Sequence, residues 1–288
     1  METLPGCIVE KTTFSLRLVS CTLRAIANIC RCWHSHLKVI DTMALGRLSV
    51  PMKDMSQGYK IGNTYISDEF TIRISWLLPA TIAPLAMVIH LLNGNSRDFP
   101  FFISEADYPG VERWVFTIGL ALSGIFQMIF AYRMWHKMRS IGRPKLLFAA
   151  MLSGLFTGAN LFVMSFADMY DHLELHVLTA SLVFQVGILW AILAHLALPD
   201  ADKSGRRLRV IGILVSFVSY IVMSQAIVRA IRDLDSFGLE DDTMFTLDRI
   251  QYAVDVAAYA EYALFAGLVI CLYSFERDLI SFNSSSEE

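Results

Sequence analysis

The sequence predicts an all-α polytopic membrane protein, a bundle of six transmembrane helices with both termini in the cytosol. Three observations carry this reading. Aliphatic and aromatic residues make up 55% of the 288 residues and charged ones only 18%, and mean hydropathy is +0.49, a balance too apolar for an average soluble enzyme. The apolar residues gather in six blocks of about 20, the length that crosses roughly 30 Å of hydrocarbon as a helix. The charge of the segments between the blocks alternates in sign. The blocks are apolar round the whole helical circumference, without the ten-residue alternation of a membrane β-barrel. These features exclude an ordinary soluble α/β enzyme, a disordered chain and a disulfide-rich secreted domain. A net charge of -3 gives no reason to expect a nucleic-acid partner.

Residues 1–69 form a cytosolic extension, amphipathic or disordered, ahead of the membrane domain. In it Phe14–Ile29 is moderately apolar, with Arg17, Arg24 and Arg31 at seven-residue spacing on one helical side. That suits a helix lying on the membrane surface better than a cleaved signal peptide, which needs an uninterrupted apolar run and a cleavage site. Later starts at Met43, Met52 or Met55 remain open. Cys7, Cys21, Cys30 and Cys32 lie here, and Cys271 near the cytosolic end of the last span, so none falls in a lumenal loop that would favour a disulfide. The string Cys30-Arg31-Cys32-Trp33-His34-Ser35-His36 holds zinc-competent atoms, but its spacing is not that of a standard zinc module. Palmitoylation beside the basic residues is the competing reading.

The six spans are Ile74–Asn93, Trp114–Tyr132, Leu146–Ala167, Leu175–Leu198, Val210–Val228 and Tyr252–Ser274, within a membrane domain of residues 70–282 that a short polar tail, 283–288, follows. The third contains Gly154 and Gly158, a spacing that lets helices approach closely. Orientation follows from the loops. Residues 1–73 carry nine Lys or Arg, the 133–145 connection five (Arg133, Lys137, Arg139, Arg143, Lys145), and the 199–209 connection Lys203, Arg206, Arg207 and Arg209 against two Asp. Segments 94–112, 168–174 and 229–251 hold 13 acids and four bases. The positive-inside rule places the basic segments in the cytosol.

Ionisable groups inside a span cost about 2.5–3.5 kcal/mol at a helix centre and so mark functional or packing sites. Glu261 lies near the middle of the sixth span and is expected to face the bundle, either protonated or paired, with Gln225, Gln185, Asn160 and His195 as candidate partners. Asp255 lies nearer the lumenal end. The densest cluster of potential ligands is Asp168 through His176, where His172 and His176 are four apart and share a helix face, with Asp168 one turn earlier and Asp171 between. Such a cluster suits a divalent ion or a headgroup, or is a solvated helix end. It lacks the His-Glu-x-x-His order of a zinc protease. No nucleophile elbow, phosphate loop or dinucleotide fingerprint occurs, and no inverted repeat argues for a transporter. Catalytic, cofactor and metal sites are therefore not expected.

Three stretches carry a family resemblance. The first lumenal loop, Phe99-Pro100-Phe101-Phe102-Ile103-Ser104-Glu105-Ala106-Asp107-Tyr108-Pro109-Gly110-Val111-Glu112 and then Phe116, resembles the "P-[YF]-I-S-[DE]…P…E…F" loop of the damage-regulated autophagy modulator (DRAM) family. The fourth span, His176 followed by an apolar run through Phe184 and Gly187, looks like that family's His-led fourth span. Ala260-Glu261-Tyr262 with Tyr273-Ser274-Phe275-Glu276-Arg277-Asp278 is similar to its last span. The wider superfamily includes Cwh-type N-terminal domains and post-GPI-attachment remodelling factors. Two departures concern the subfamily: the paired prolines of the first loop are absent, and Asp107 stands where a Gly is usual. The likeness covers about residues 70–282 and implies a multi-pass endomembrane protein, a non-enzymatic modulator of autophagy or lysosomal membrane organisation. The alternative it implies is a lipid-handling factor in GPI-anchor lipid remodelling or plasma-membrane phospholipid organisation. Glu105, His176 and Glu261 are the matched polar positions. With Asp171 and His172 they form the candidate lumenal or intramembrane polar site. The expected partners are membrane lipids, anionic ones at the cytosolic basic loops. The lysosome is the expected compartment, with Golgi, ER or plasma membrane as alternatives.

The one N-x-S/T sequon is Asn283-Ser284-Ser285, in the predicted cytosolic tail. Expression in glycosylating cells with and without glycosidase should give identical gel mobility. A shift would reverse the orientation.

Overall fold

The computed structural model describes residues 58–61, 64–199, 201–236, 247 and 249–285. Six helices dominate: α1 Asp68–Leu92, α2 Val111–Met138, α3 Pro144–Met164, α4 Leu173–Ala197, α5 Lys203–Ser236 and α6 Gln251–Ser285. All six are long and apolar enough to span a membrane. The chain is thus an all-α six-helix membrane bundle. Consecutive helices pack side by side and α1 closes the ring on α6. The amphipathic and cysteine-rich stretches read in the first 57 residues lie outside the described residues.

The helix ends differ from the predicted spans because charged terminal turns continue a helix that hydropathy alone cuts short. α5 begins at Lys203 rather than Val210, and α6 runs past Ser274. α1 begins at Asp68, where Ser67 Oγ accepts from the Phe70 N–H at 3.0 Å and Asp68 and Glu69 occupy the first turn. A polar N-cap followed by acids at the positive end of the helix dipole is a strong start signal. Pro144 opens α3 at a position that needs no N–H donor.

A β-hairpin precedes α1, an element absent from the predicted all-α plan. Strand β1, Gly58–Ile61, pairs antiparallel with β2, Thr64–Ser67, in the register Gly58 to Ser67 and Ile61 to Thr64. It docks on the end of α2. Arg133 Nη2 donates to Gly58 O at 3.0 Å, and the guanidinium lies 5.3 Å from the Tyr59 ring centroid.

Lipid tails are as apolar as leucine, so helices in a bilayer gain little by burying leucine against each other. They associate through close packing and interhelical polar contacts. Both are present. A Cβ on Gly124 of α2 would stand 2.6 Å from Gly158 O of α3, and one on Gly212 of α5 would stand 2.6 Å from Gly267 O of α6. Gly154, the other small residue of the third span, admits Ala131 and Trp190 from the neighbouring helices. Large apolar side chains such as Phe70, Leu85, Ile118, Phe148, Leu178 and Phe217 face outward. Exposed Trp114 and Tyr252 lie at one end of the bundle and Tyr132 at the other, as interfacial aromatic belts do.

Gly124→Val should force α2 from α3 and destabilise the protein by about 1–3 kcal/mol. Gly187→Ala, whose Cβ would meet Leu268 at an ordinary 3.5 Å, should be tolerated. Thermal unfolding and size-exclusion profiles in mild detergent compare the two.

Candidate functional site

The connection between α1 and α2 returns into the bundle and makes a lid. It leaves α1 after Asn93 and passes the cis Phe99-Pro100 bond. It then forms a 3₁₀ turn at Ile103–Ala106, in which Ala106, like Phe101 just before it, is fully buried. The first amides of such a turn have no partner within it. Phe102 N–H finds one in Glu105 Oε1 at 2.7 Å, and Ile103 N–H finds one in Glu261 Oε2 at 2.7 Å. Tyr262, next to Glu261, donates its hydroxyl to Phe101 O. Phe99 packs on Tyr259 and Tyr262 at centroid distances of 6.1 and 6.5 Å.

Glu105 is therefore part of the lid's frame. Arg97 clamps its two oxygens at 2.5 and 2.8 Å and reaches on to Gln251 of α6. Tyr170 donates to Glu105 O at 2.9 Å, tying in the α3–α4 connection. Burial holds the Tyr170 phenol well above its usual range, so it stays a donor.

Beneath the lid lies an elongated cavity of about 100 Å³. Along α4 it reaches from His176 to Trp190, about 21 Å of helix axis at about 1.5 Å per residue. Its walls are apolar and include Leu120, Leu161, Phe184 and Phe265. Its floor is Phe130 and Trp190, backed by Phe275, with Phe130–Trp190, Phe130–Phe275 and Trp190–Phe275 centroids 6.0, 5.5 and 5.4 Å apart. Below the floor a smaller pocket of about 20 Å³ is lined by Asp68, Thr71, Arg133 and Lys137.

Two of the five candidate site residues meet at this cavity. Glu261, 7% exposed, and His176, 4% exposed, both line it. Glu261 does not use the partners anticipated for it. Asn160 bonds Phe156 O at 2.8 Å, and Gln185 bonds the Tyr220 hydroxyl at 2.5 Å. The lid's backbone takes their place, a contact no side-chain pattern foretells. His176 and His172 do not act together. His176 turns inward, its Nδ1 2.6 Å from Ala167 O, while His172 precedes α4 and is exposed. Asp171 is exposed too, 3.8 Å from Arg113. Asp168 caps its own turn, accepting from the Tyr170 and Asp171 amides at 2.9 and 2.7 Å. Asp255 faces outward and accepts from Gln251 at 2.8 Å. Among the described residues no group of three or more His, Cys, Asp or Glu is placed to hold a metal ion.

Sequence reasoning missed two buried polar knots beside the lid. Glu112, fully buried at the start of α2, accepts from Asn93 at 2.7 Å and Asn95 at 3.1 Å, with His90 Nδ1 at 3.4 Å. The signal was present in a His and two Asn at the end of one span facing a Glu at the start of the next. The Asp107 carboxyl, buried at 1% exposure, has the Thr117 side chain as its hydrogen-bonding neighbour. Arg113 Nε stands 3.9 Å from it and Arg113 Nη2 stands 3.4 Å from Asp168. Burial pushes the Asp107 carboxyl up to about 7, Arg113 opposing and Asp168 reinforcing the rise.

Residues 100–240, from the lid through α5, match a family described as a protein of unknown function, DUF998. Neither the curated proteins nor the solved structures contain a match to the chain.

A carboxyl raised in the folded state binds its proton more tightly there than in the unfolded chain. Its contribution to stability is full below about pH 4 and fades as pH rises through about 7. Asp107→Asn should remove this loss. The variant should melt several degrees above the parent at pH 8, and the gap should narrow through pH 5 and close at pH 4. An equal gap at all three values would place Asp107 outside the pH response.

Proposed function

We propose that the protein is a non-catalytic, lipid-handling membrane protein of endomembranes, which holds one hydrophobic chain of a lipid inside its six-helix bundle. The observation that carries this reading is the elongated apolar cavity under the lid, bounded at one end by Ile103 on Glu261 and at the other by Phe130 and Trp190. A bilayer protein with a concave apolar slot and a few polar groups at one end has the anatomy of a small-molecule site. The surrounding solvent supplies chains of that chemistry.

The resemblance to the DRAM family supports action in autophagy or lysosomal membrane organisation, with the lysosome as first compartment. GPI-anchor lipid remodelling in the Golgi or ER, or phospholipid organisation at the plasma membrane, follows from its wider superfamily. Charge asymmetry supports placing the lid in the lumen and the termini in the cytosol. Anionic lipid at the cytosolic face would meet fewer charges than the loops promised. Arg133 and Arg209 are buried in ion pairs, which leaves exposed Arg139, Arg143, Lys145, Lys203 and Arg207 as the contact groups.

Lipid extracted from protein purified in mild detergent and identified by mass spectrometry tests the reading. The parent should retain one enriched lipid class through size exclusion. Gly187→Leu, which fills the cavity wall, should lose it while remaining monodisperse. The same lipids on both proteins would mark them as annular and overturn the proposal.

A further inference from the structure

We infer that the cavity selects a single-chain amphiphile whose head carries no negative charge, a long-chain alcohol or amine, and that the floor of Phe130 and Trp190, backed by Phe275, sets its chain length. This rests on the reading that the cavity holds a lipid chain. A cavity of about 100 Å³ that runs along about 21 Å of helix has no room for two chains side by side.

The head is read from the polar groups at the lid end. No Lys or Arg lines the cavity. A carboxylate or phosphate placed there would lie in an apolar slot beside Glu261 without a counter-charge, a costly burial. The other polar groups of the lining are neutral: Ser104 at the lid end, Gln127, Thr157 and the Trp190 indole N–H. Glu261 has one hydrogen-bond partner among the described residues, Ile103 N–H on Oε2, which leaves Oε1 for the head, accepting from it when ionised and donating to it when protonated. His176 Nδ1 faces a carbonyl oxygen, so Nδ1 carries the proton, and the neutral ring keeps its Nε2 lone pair for a donor. Thr157, deeper in the slot, already spends its hydroxyl proton on Ser153 O at 2.9 Å. A hydroxyl or ammonium meets these groups, and its alkyl chain fills the remaining length.

The tail end follows from the floor. The three rings touch edge to face and tilted across the bundle, and Arg209 lies 3.9 Å over Phe275, fixing that ring from below. Phe130 lines both the cavity and the smaller pocket beneath it. Truncating Phe130 therefore joins the two spaces and lengthens the slot.

Purified full-length protein in detergent, stripped of lipid, is titrated with 1-alkanols, 1-alkylamines, fatty acids and monoalkyl phosphates of matched chain lengths, and the melting shift is recorded. Alkanols or alkylamines should stabilise with a chain-length optimum, and the two anionic series should bind roughly tenfold more weakly or worse. Phe130→Ala should move the optimum to longer chains, and Phe130→Leu should move it less. Equal stabilisation by fatty acids and alkyl phosphates overturns the head assignment and leaves the lipid-holding reading standing. An optimum unmoved in both folded Phe130 variants overturns the floor. No response to any series, with no lipid retained by the protein as purified, overturns the lipid-holding reading itself.

Discussion

In a bilayer no water is available to satisfy a stray polar group, and no hydrophobic force draws one apolar helix to another. This fold answers both constraints with the same device. The helix ends are tied by buried ion pairs, and the helix middles touch through glycine. At the hairpin end, Asp68 of α1 meets Arg133 and Lys137 of α2 at 2.7 and 3.4 Å. Glu276 of α6 takes Arg73 at 2.7 Å and the Trp76 indole N–H at 3.0 Å from α1. Arg209 of α5, fully buried, pairs with Asp278 of α6 and donates to Ser274 at 3.0 Å. Truncating one member of the buried Asp68–Arg133 or Arg209–Asp278 pair leaves a buried charge alone, typically costing about 3–5 kcal/mol. The ties therefore fix the order of helices round the ring.

With the ends fixed, the interior has freedom. α2 and α3 approach closely at Gly124 and Gly158, and the cavity occupies the space that they enclose with α1, α4 and α6. The first lumenal loop and the last span divide along this line. The loop builds the lid, with Glu105 framing it, while the Glu261–Tyr262 pair receives it. The Ser274–Asp278 run supplies the ionic ties at the other end. These residues are thus structural joints as much as site residues.

The sequence disclosed what depends on one segment at a time. A span is legible because its length and apolarity answer to the bilayer alone, and all six helices lie where hydropathy puts them. The close approach at Gly154 and Gly158 was legible for the same reason. Pairings between distant segments were not. Arg133 and Lys137 read as loop charge, and Arg209 likewise, yet each turns inward to an acid that lies at least 65 residues away in sequence. The polar string from Asp168 to His176 read as one cluster because period alone joined it. A turn before α4 sends His176 inward and leaves His172 outside. Glu261 was identified and its partner was not, since a backbone amide has no signature in composition.

Glu261 and the lid explain each other's presence. A charged carboxyl at a helix centre costs about 2.5–3.5 kcal/mol, and a hydrogen bond to a charged group returns about 1.5–3. The carboxyl alone thus gains nothing over an apolar side chain of similar size. Ile103 carries the opposite debt. Its amide opens a 3₁₀ turn, where no partner exists within the turn, and the fully buried Phe101 and Ala106 on either side hold it away from solvent. An apolar residue at 261 would leave that N–H unpaired inside the bundle. The hydrogen bond between them satisfies both groups at once, so the lid and the sixth helix form one unit. The second carboxyl oxygen is left over in this arrangement, and it is the polar atom that turns an apolar gap between helices into a site with an end.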